Sequence, residues 1–172
     1  MNYFEFYDIP VSFMIDESAL RTTFYAYSKK YHPDFYTLED EAKQQEVLKL
    51  STLNNEAYKT LTDFDRRMKY ILELKEVLAE EGKNEIPQDF LMEMMDINEV
   101  LMELEFDFDA SKLDTVKKEL DQLESKLLTS LQPILEGYDD ATVNAADLNQ
   151  IKEYYFKKRY LLRIRKNLDK FS

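Results

Sequence analysis

In this 172-residue chain the side chains best suited to act together are His32, Pro33 and Asp34, with Lys29 and Lys30 just before them and Arg21 eight residues further back. His32 is the single histidine. Beside Asp34 it could serve as a general base or accept a phosphoryl group. Base catalysis needs a nucleophile to activate, and none is implicated; with two glycines in the whole chain there is no phosphate-cradling loop. A phosphotransfer histidine normally projects from mid-helix, which Pro33 opposes. The remaining chemistry is recognition. A ring would hydrogen-bond or pack against a partner, a proline would fix the backbone, and a carboxylate would pair with a partner's cation. A histidine at a helix end also has a plain capping or surface role, and Arg21, Lys29 and Lys30 could be no more than a solvated face. They nevertheless form one basic patch beside the tripeptide, with Tyr25 on the same side to contribute buried area. Such a patch steers an acidic partner and weakens with salt.

The elements that must hold these residues are helical. Two glycines and four prolines leave little for the turns of a β protein, so the spacing predicts an all-α fold. After an N-terminal turn, a helix opens near Asp16 to Ser18 and carries Leu20, Phe24, Tyr27 and Tyr31 as one stripe. Pro33 ends it, which puts His32, Pro33 and Asp34 in a loop. A further helix is predicted over Glu39–Thr60, with Val47, Leu50, Leu53, Ala57 and Tyr58 on its buried side. Thr62 and Asp63 interrupt it and cap a helix containing Met68, Tyr70, Ile71, Leu74 and Leu78. The tripeptide therefore sits at the tip of a helical hairpin, where a loop presents polar groups to a partner.

Gly82, Asn84 and Pro87 make the strongest break, and a domain boundary is expected near residues 80–88, dividing a domain 1–80 from a domain 88–172. Three more helices are predicted, approximately Gln88–Leu104, Ser111–Gly137 and Thr142–Phe171. Their short connections, at Asp107 to Asp109 and Gly137 to Asp140, favour an antiparallel three-helix bundle. On the first, Phe90, Met94, Ile97, Leu101 and Leu104 share one apolar face. Leu91, Met95 and Met102, flanked by Met92, Asp96, Glu99 and Glu103, face largely the other way. Methionine strips suit adaptable protein recognition; alternatively the long final helix covers this one. Between Gln88 and Asp109 there are eight acids and no Lys or Arg, whereas Ile151 to Lys170 holds eight bases and two acids. Complementary packing of neighbouring helices is the simple explanation.

Composition excludes much else. With 23 Lys+Arg against 35 Asp+Glu the net charge is −12, which argues against nucleic-acid binding. There is no cysteine, so disulfides, thiolate nucleophiles and zinc–cysteine sites drop out, and with one histidine a histidine-based metal centre would need carboxylate help. No cofactor or metal site is expected. No run of 18 apolar residues exists and the first residues lack a signal-peptide pattern, so no membrane role and a cytosolic location are expected.

These residues carry a resemblance. Residues 1 to about 75 resemble a J-domain, in Tyr3-Phe4-Glu5-Phe6-Tyr7, Ile9-Pro10, Leu20, Lys30-Tyr31-His32-Pro33-Asp34 and Asn55-Glu56-Ala57-Tyr58-Lys59-Thr60-Leu61. Arg67-Met68-Lys69-Tyr70-Ile71-Leu72, followed by Phe90-Leu91-Met92-Glu93-Met94-Met95, is similar to the HscB family of iron–sulfur assembly co-chaperones and its mitochondrial relatives. The resemblance spans nearly all the chain. It implies a J-domain hairpin that stimulates the ATPase of a DnaK/HscA-type chaperone through His32, Pro33, Asp34, Arg21, Tyr25, Lys29 and Lys30. It also implies a C-terminal bundle that holds the cluster scaffold IscU through Leu91, Met92, Met95, Asp96 and Glu99, with no catalytic site in either part. Two departures stand out: Phe35 follows the tripeptide where many J-domains carry lysine, and Tyr154-Tyr155-Phe156 makes the basic last helix aromatic as well. A general J-protein for misfolded clients shares the first half of this reading, and a histidine phosphotransfer protein is the alternative from another class.

Overall fold

The computed structural model describes residues 1–80 and 83–171. Gly82, one residue of the predicted break, and Ser172, the end of the expected second domain, lie outside them. The elements are α1 (Tyr3–Phe6), α2 (Glu17–Lys30), a 3-10 turn (Pro33–Tyr36), α3 (Glu41–Leu61), α4 (Phe64–Leu74), α5 (Gln88–Phe106), α6 (Ala110–Glu136), α7 (Ala145–Leu168) and a closing 3-10 turn (Asp169–Phe171). No strand occurs among the described residues, and the fold is all-α.

Short polar side chains set most helix starts. Asp16 accepts from the Ala19 amide, Asp40 from Lys43, Asp63 from Arg66, Asp109 from Ser111 and Lys112, and Asn144 from Asp147. Asp40 and Asn144 fall inside the helices predicted from periodicity, and their capping bonds move those starts to Glu41 and Ala145. The helix predicted through Leu78 stops at Leu74. The Lys75 amide donates to the Ile71 carbonyl and Glu76 takes φ 57°, a left-handed conformation that closes the last turn.

The chain divides into two compact units. One comprises Met1–Lys75 with Tyr138–Thr142, the other Glu76–Gly137 with Val143–Ser172. In the first, Phe4, Phe13, Leu20, Val47, Ala57, Leu61, Met68, Ile71 and Leu72 form the core. Two buried polar residues organise it. Asn54, on α3, accepts the Tyr7 hydroxyl at 2.7 Å and donates to the Phe24 carbonyl and Ser28 Oγ, both at 3.2 Å, fastening α3 to α2 and to the chain after α1. Arg67, on α4, donates to the carbonyls of Phe13 and Leu61; burial lowers its pKa from the usual arginine range. The segment 138–142 completes this unit: the Tyr138 ring meets Phe13 edge-on at 4.7 Å, and Lys75 Nζ donates to the Asp140 carbonyl at 2.9 Å.

The second unit is the bundle of α5, α6 and α7. Phe90, Met94, Ile97, Leu101 and Leu104 are all buried, against Leu113, Val116 and Leu120 of α6 and Leu161, Ile164 and Leu168 of α7. Truncating a fully buried side chain such as Met94 to alanine costs about 2–5 kcal/mol. The predicted charge balance is met differently from the simple expectation. The ion pair Lys170–Glu105, at 3.7 Å, joins the closing 3-10 turn to the acidic run of α5. Arg165 turns instead to α6, where it donates to Asp121 at 2.6 Å and to both oxygens of Glu124 at 2.9 and 3.0 Å.

Candidate functional site

α2 and α3 form a hairpin whose inner faces meet through Phe24 stacked on Tyr58, with centroids 4.1 Å apart. Between them the tripeptide is a capped turn and not an open loop. α2 ends at Lys30, and His32 becomes the N-cap of the 3-10 turn, with Pro33 at its first position. His32 Nδ1 accepts the Asp34 amide at 3.2 Å and lies 3.7 Å from an Asp34 carboxylate oxygen. A neutral ring accepting at Nδ1 carries its proton on Nε2, which leaves one N–H donor for another molecule. The Phe35 amide donates to the His32 carbonyl at 3.1 Å.

The turn is tied down on both sides. The Tyr36 hydroxyl donates to the Lys30 carbonyl at 2.6 Å. Gln44 Nε2 donates to the carbonyls of Thr37 and Glu39 at 3.2 and 3.0 Å. So held, the tripeptide stands out from the surface: the His32 side chain is 52% exposed and that of Asp34 85%.

Four of the seven residues expected to act here come together. Tyr25, Lys29, His32 and Asp34 line one open depression with Ser28 and Phe35. Pro33 lines a second depression with Tyr36, Thr37, Gln44 and Leu48, and Asp34 borders both. Lys30 folds back over the rings of Tyr31 and Tyr27, at 5.2 and 5.9 Å. Arg21 lies beside Tyr58, whose hydroxyl raises the guanidinium's pKa further. The basic face is thus divided: Lys29 is at the apex, while Lys30 and Arg21 flank aromatic rings. Phe35, 72% exposed, adds apolar surface beside the tripeptide. Spacing did not reveal Tyr36 or Gln44, whose bonds depend on the folded path of the turn.

The second candidate surface is on α5. Met92, Met95, Asp96, Glu99, Met102 and Glu103 are exposed and Leu91 is partly buried, so α7 does not cover this strip. Met95 is 67% exposed. Asp96 and Glu99 make no ion pair among the described residues. The strip is therefore flexible, polarizable and apolar with an acidic border, suited to a partner bearing apolar and basic groups. No group of three or more histidine, aspartate or glutamate side chains among the described residues is placed to hold a metal ion. No helix among them is long and apolar enough to cross a membrane.

Residues 86–169 match the family model described as the HSCB C-terminal oligomerisation domain. The chain is 32% identical over 157 residues to the co-chaperone protein HscB homolog of Psychromonas ingrahamii, covering 88% of this chain and 89% of that one. It is similar in structure to the chaperone HscB from Vibrio cholerae, at 26% identity and a TM-score of 0.68 over 100% of both chains. It is also similar to human co-chaperone protein HscB, at 26% identity and a TM-score of 0.75, over 98% of this chain and 81% of that one. With 32% identity across most of both chains, and an exposed, self-capped His-Pro-Asp turn on the first unit, the chain belongs to the HscB family of co-chaperones.

Proposed function

We propose that the chain is an adaptor between a DnaK/HscA-type chaperone and an IscU-type iron–sulfur scaffold. The unit bearing the tripeptide, expected within residues 1–80, docks on the chaperone through His32, Pro33, Asp34, Tyr25 and Lys29, with Arg21 and Lys30 adding positive field. Docking stimulates the chaperone's ATPase. The bundle, expected over 88–172, carries the scaffold on Leu91, Met92, Met95, Asp96 and Glu99. Chemistry then belongs to the chaperone, and this chain supplies recognition.

One observation carries the reading: the tripeptide is rigid and outward-facing at once. Its two amides, of His32 and Asp34, are bonded internally, so docking orders little, and preorganisation of this kind lowers the entropic cost of binding. His32 at the cap of a turn, and not on mid-helix, disfavours the phosphotransfer alternative.

The experiment is phosphate release by the purified chaperone. Wild-type chain raises the rate, and His32→Gln abolishes the rise while scaffold binding persists; unchanged stimulation by His32→Gln refutes the assignment. For the second surface, Met92→Ala combined with Met95→Ala loses capture of the scaffold. Equal capture of denatured polypeptides by wild type and this variant would favour a general J-protein instead.

A further inference from the structure

Phe35 directly follows the tripeptide and has no task in the proposed function. Its ring is exposed, as is that of Tyr25, the other large apolar side chain of the same depression. Exposed aromatic rings beside a docking surface are the usual anchors of protein recognition, because they bury much apolar area at little cost in side-chain freedom. Phe35 is fixed before any partner arrives. Its amide donates to the His32 carbonyl at 3.1 Å and its ring meets the His32 ring edge-on at 5.9 Å. The next residue, Tyr36, is tied by its hydroxyl to the Lys30 carbonyl. Tyr25 is held in a similar way: its ring centroid lies 5.4 Å from that of Phe24, which stacks on Tyr58 across the hairpin.

The rest of the depression leaves room for an apolar group. Ala26 and Ser28, which also line it, are small. The Ser28 hydroxyl is already engaged, donating to the Phe24 carbonyl at 2.8 Å and accepting from Asn54 Nδ2 at 3.2 Å. An apolar group entering here therefore strands no buried donor or acceptor of its own making. Charge stands at the border, on Lys29 and Asp34. We infer that Phe35 is a specificity-determining residue of the chaperone contact: it packs against an aliphatic side chain that the chaperone presents beside the cation received by Asp34. This role rests on the reading of the tripeptide as the chaperone-docking surface. Continuity with that surface identifies the occupant, since whatever docks on His32 and Asp34 also covers a ring in contact with His32. A chaperone offering a carboxylate at the same place would have that charge desolvated against an aromatic face, so the ring rejects it as well as favouring the aliphatic partner.

Phosphate release by the purified chaperone at rising concentrations of the full chain tests this. Phe35→Ala should raise the concentration that gives half-maximal stimulation at least about tenfold, the loss of one well-buried apolar contact. Phe35→Leu should stay within about threefold of wild type, and Phe35→Asp should lose more than Phe35→Ala. The ratio of Phe35→Ala to wild type should hold from about 0.05 M to about 0.5 M salt, because screening acts on charges and not on apolar contact. Hydrogen exchange of the Asp34 amide should be the same in Phe35→Ala as in wild type, which separates contact with the chaperone from support of the turn. A loss that Phe35→Leu shares, a ratio that collapses with salt, or faster Asp34 exchange accompanying the loss would each overturn the inference. So would unchanged stimulation by Phe35→Ala, even in a variant that no longer captures denatured polypeptides or a second copy of the chain. Wild type and His32→Gln in the same assay separate this role from the docking reading. If wild type stimulates, His32→Gln does not, and Phe35→Ala matches wild type, the inference alone falls. If His32→Gln stimulates as wild type does while Phe35→Ala fails, the tripeptide assignment falls and the apolar contact stands. If wild type does not stimulate, both fall.

Discussion

Replacing Asn54 with alanine should loosen the hairpin that presents the tripeptide. The side chain accepts one hydrogen bond, from the Tyr7 hydroxyl at 2.7 Å, and donates two, to the Phe24 carbonyl and Ser28 Oγ at 3.2 Å. At about 1 kcal/mol net for each buried bond the loss is about 3 kcal/mol. Two compensations limit it. The Tyr7 hydroxyl keeps its bond to the residue-54 backbone carbonyl at 2.9 Å, and Ser28 Oγ still donates to the Phe24 carbonyl at 2.8 Å, so neither is left unpaired. The expected cost is therefore about 2–3 kcal/mol. Hydrogen exchange of the α2 and α3 amides reads it directly, because it reports the first unit without averaging over the bundle. Tyr7→Phe removes the same bond from the other side. A double-mutant cycle between the two positions should return a coupling of about 1 kcal/mol. A loss below about 0.5 kcal/mol, or strictly additive substitutions, would refute the assignment of Asn54 as the tie between these helices.

Two further outcomes follow from the same unit. Burial pushes the Tyr7 and Tyr138 hydroxyls above the ordinary tyrosine range, so folding favours their neutral forms. The stability they contribute is complete below about pH 10 and is lost as pH climbs through the raised folded values. Melting temperature should therefore fall on the alkaline side, and Tyr7→Phe should flatten that fall; a fall as steep in the variant would count against it. Tyr36→Phe removes the bond to the Lys30 carbonyl, worth about 0.5–1.5 kcal/mol of turn order. Half-maximal chaperone stimulation should then require more of the chain, at an unchanged maximal rate, with faster exchange of the Phe35 amide. Unaltered exchange there would show that the hydroxyl does not hold the turn.

Much of this architecture was legible in local chemistry. Asp16 and Asp63 mark helix starts because a carboxylate beside free amides acts over three residues, and Pro33 ends α2 for an equally local reason. The apolar face of α5 repeats at helical spacing and is buried throughout. What escaped the sequence depends on long separations. Asn54 looks like a polar interruption of α3, since its partner Tyr7 is 47 residues away. Gly137 to Asp140 reads as a turn, yet Tyr138 meets Phe13 in the first unit's core because an aromatic ring finds burial there. The tripeptide was legible as an apex but not as a self-capped turn, because Tyr36 and Gln44 reach carbonyls whose positions depend on the fold. Likewise, opposite charge on α5 and α7 does not determine which helix each cation pairs with, and Arg165 pairs with α6.

The adaptor reading is tested most directly by phosphate release from a DnaK/HscA-type chaperone mixed with this chain, with and without an IscU-type scaffold. The rate should rise when the chain is added and rise again when scaffold joins it. A chaperone that keeps its own basal rate in both mixtures would contradict the reading.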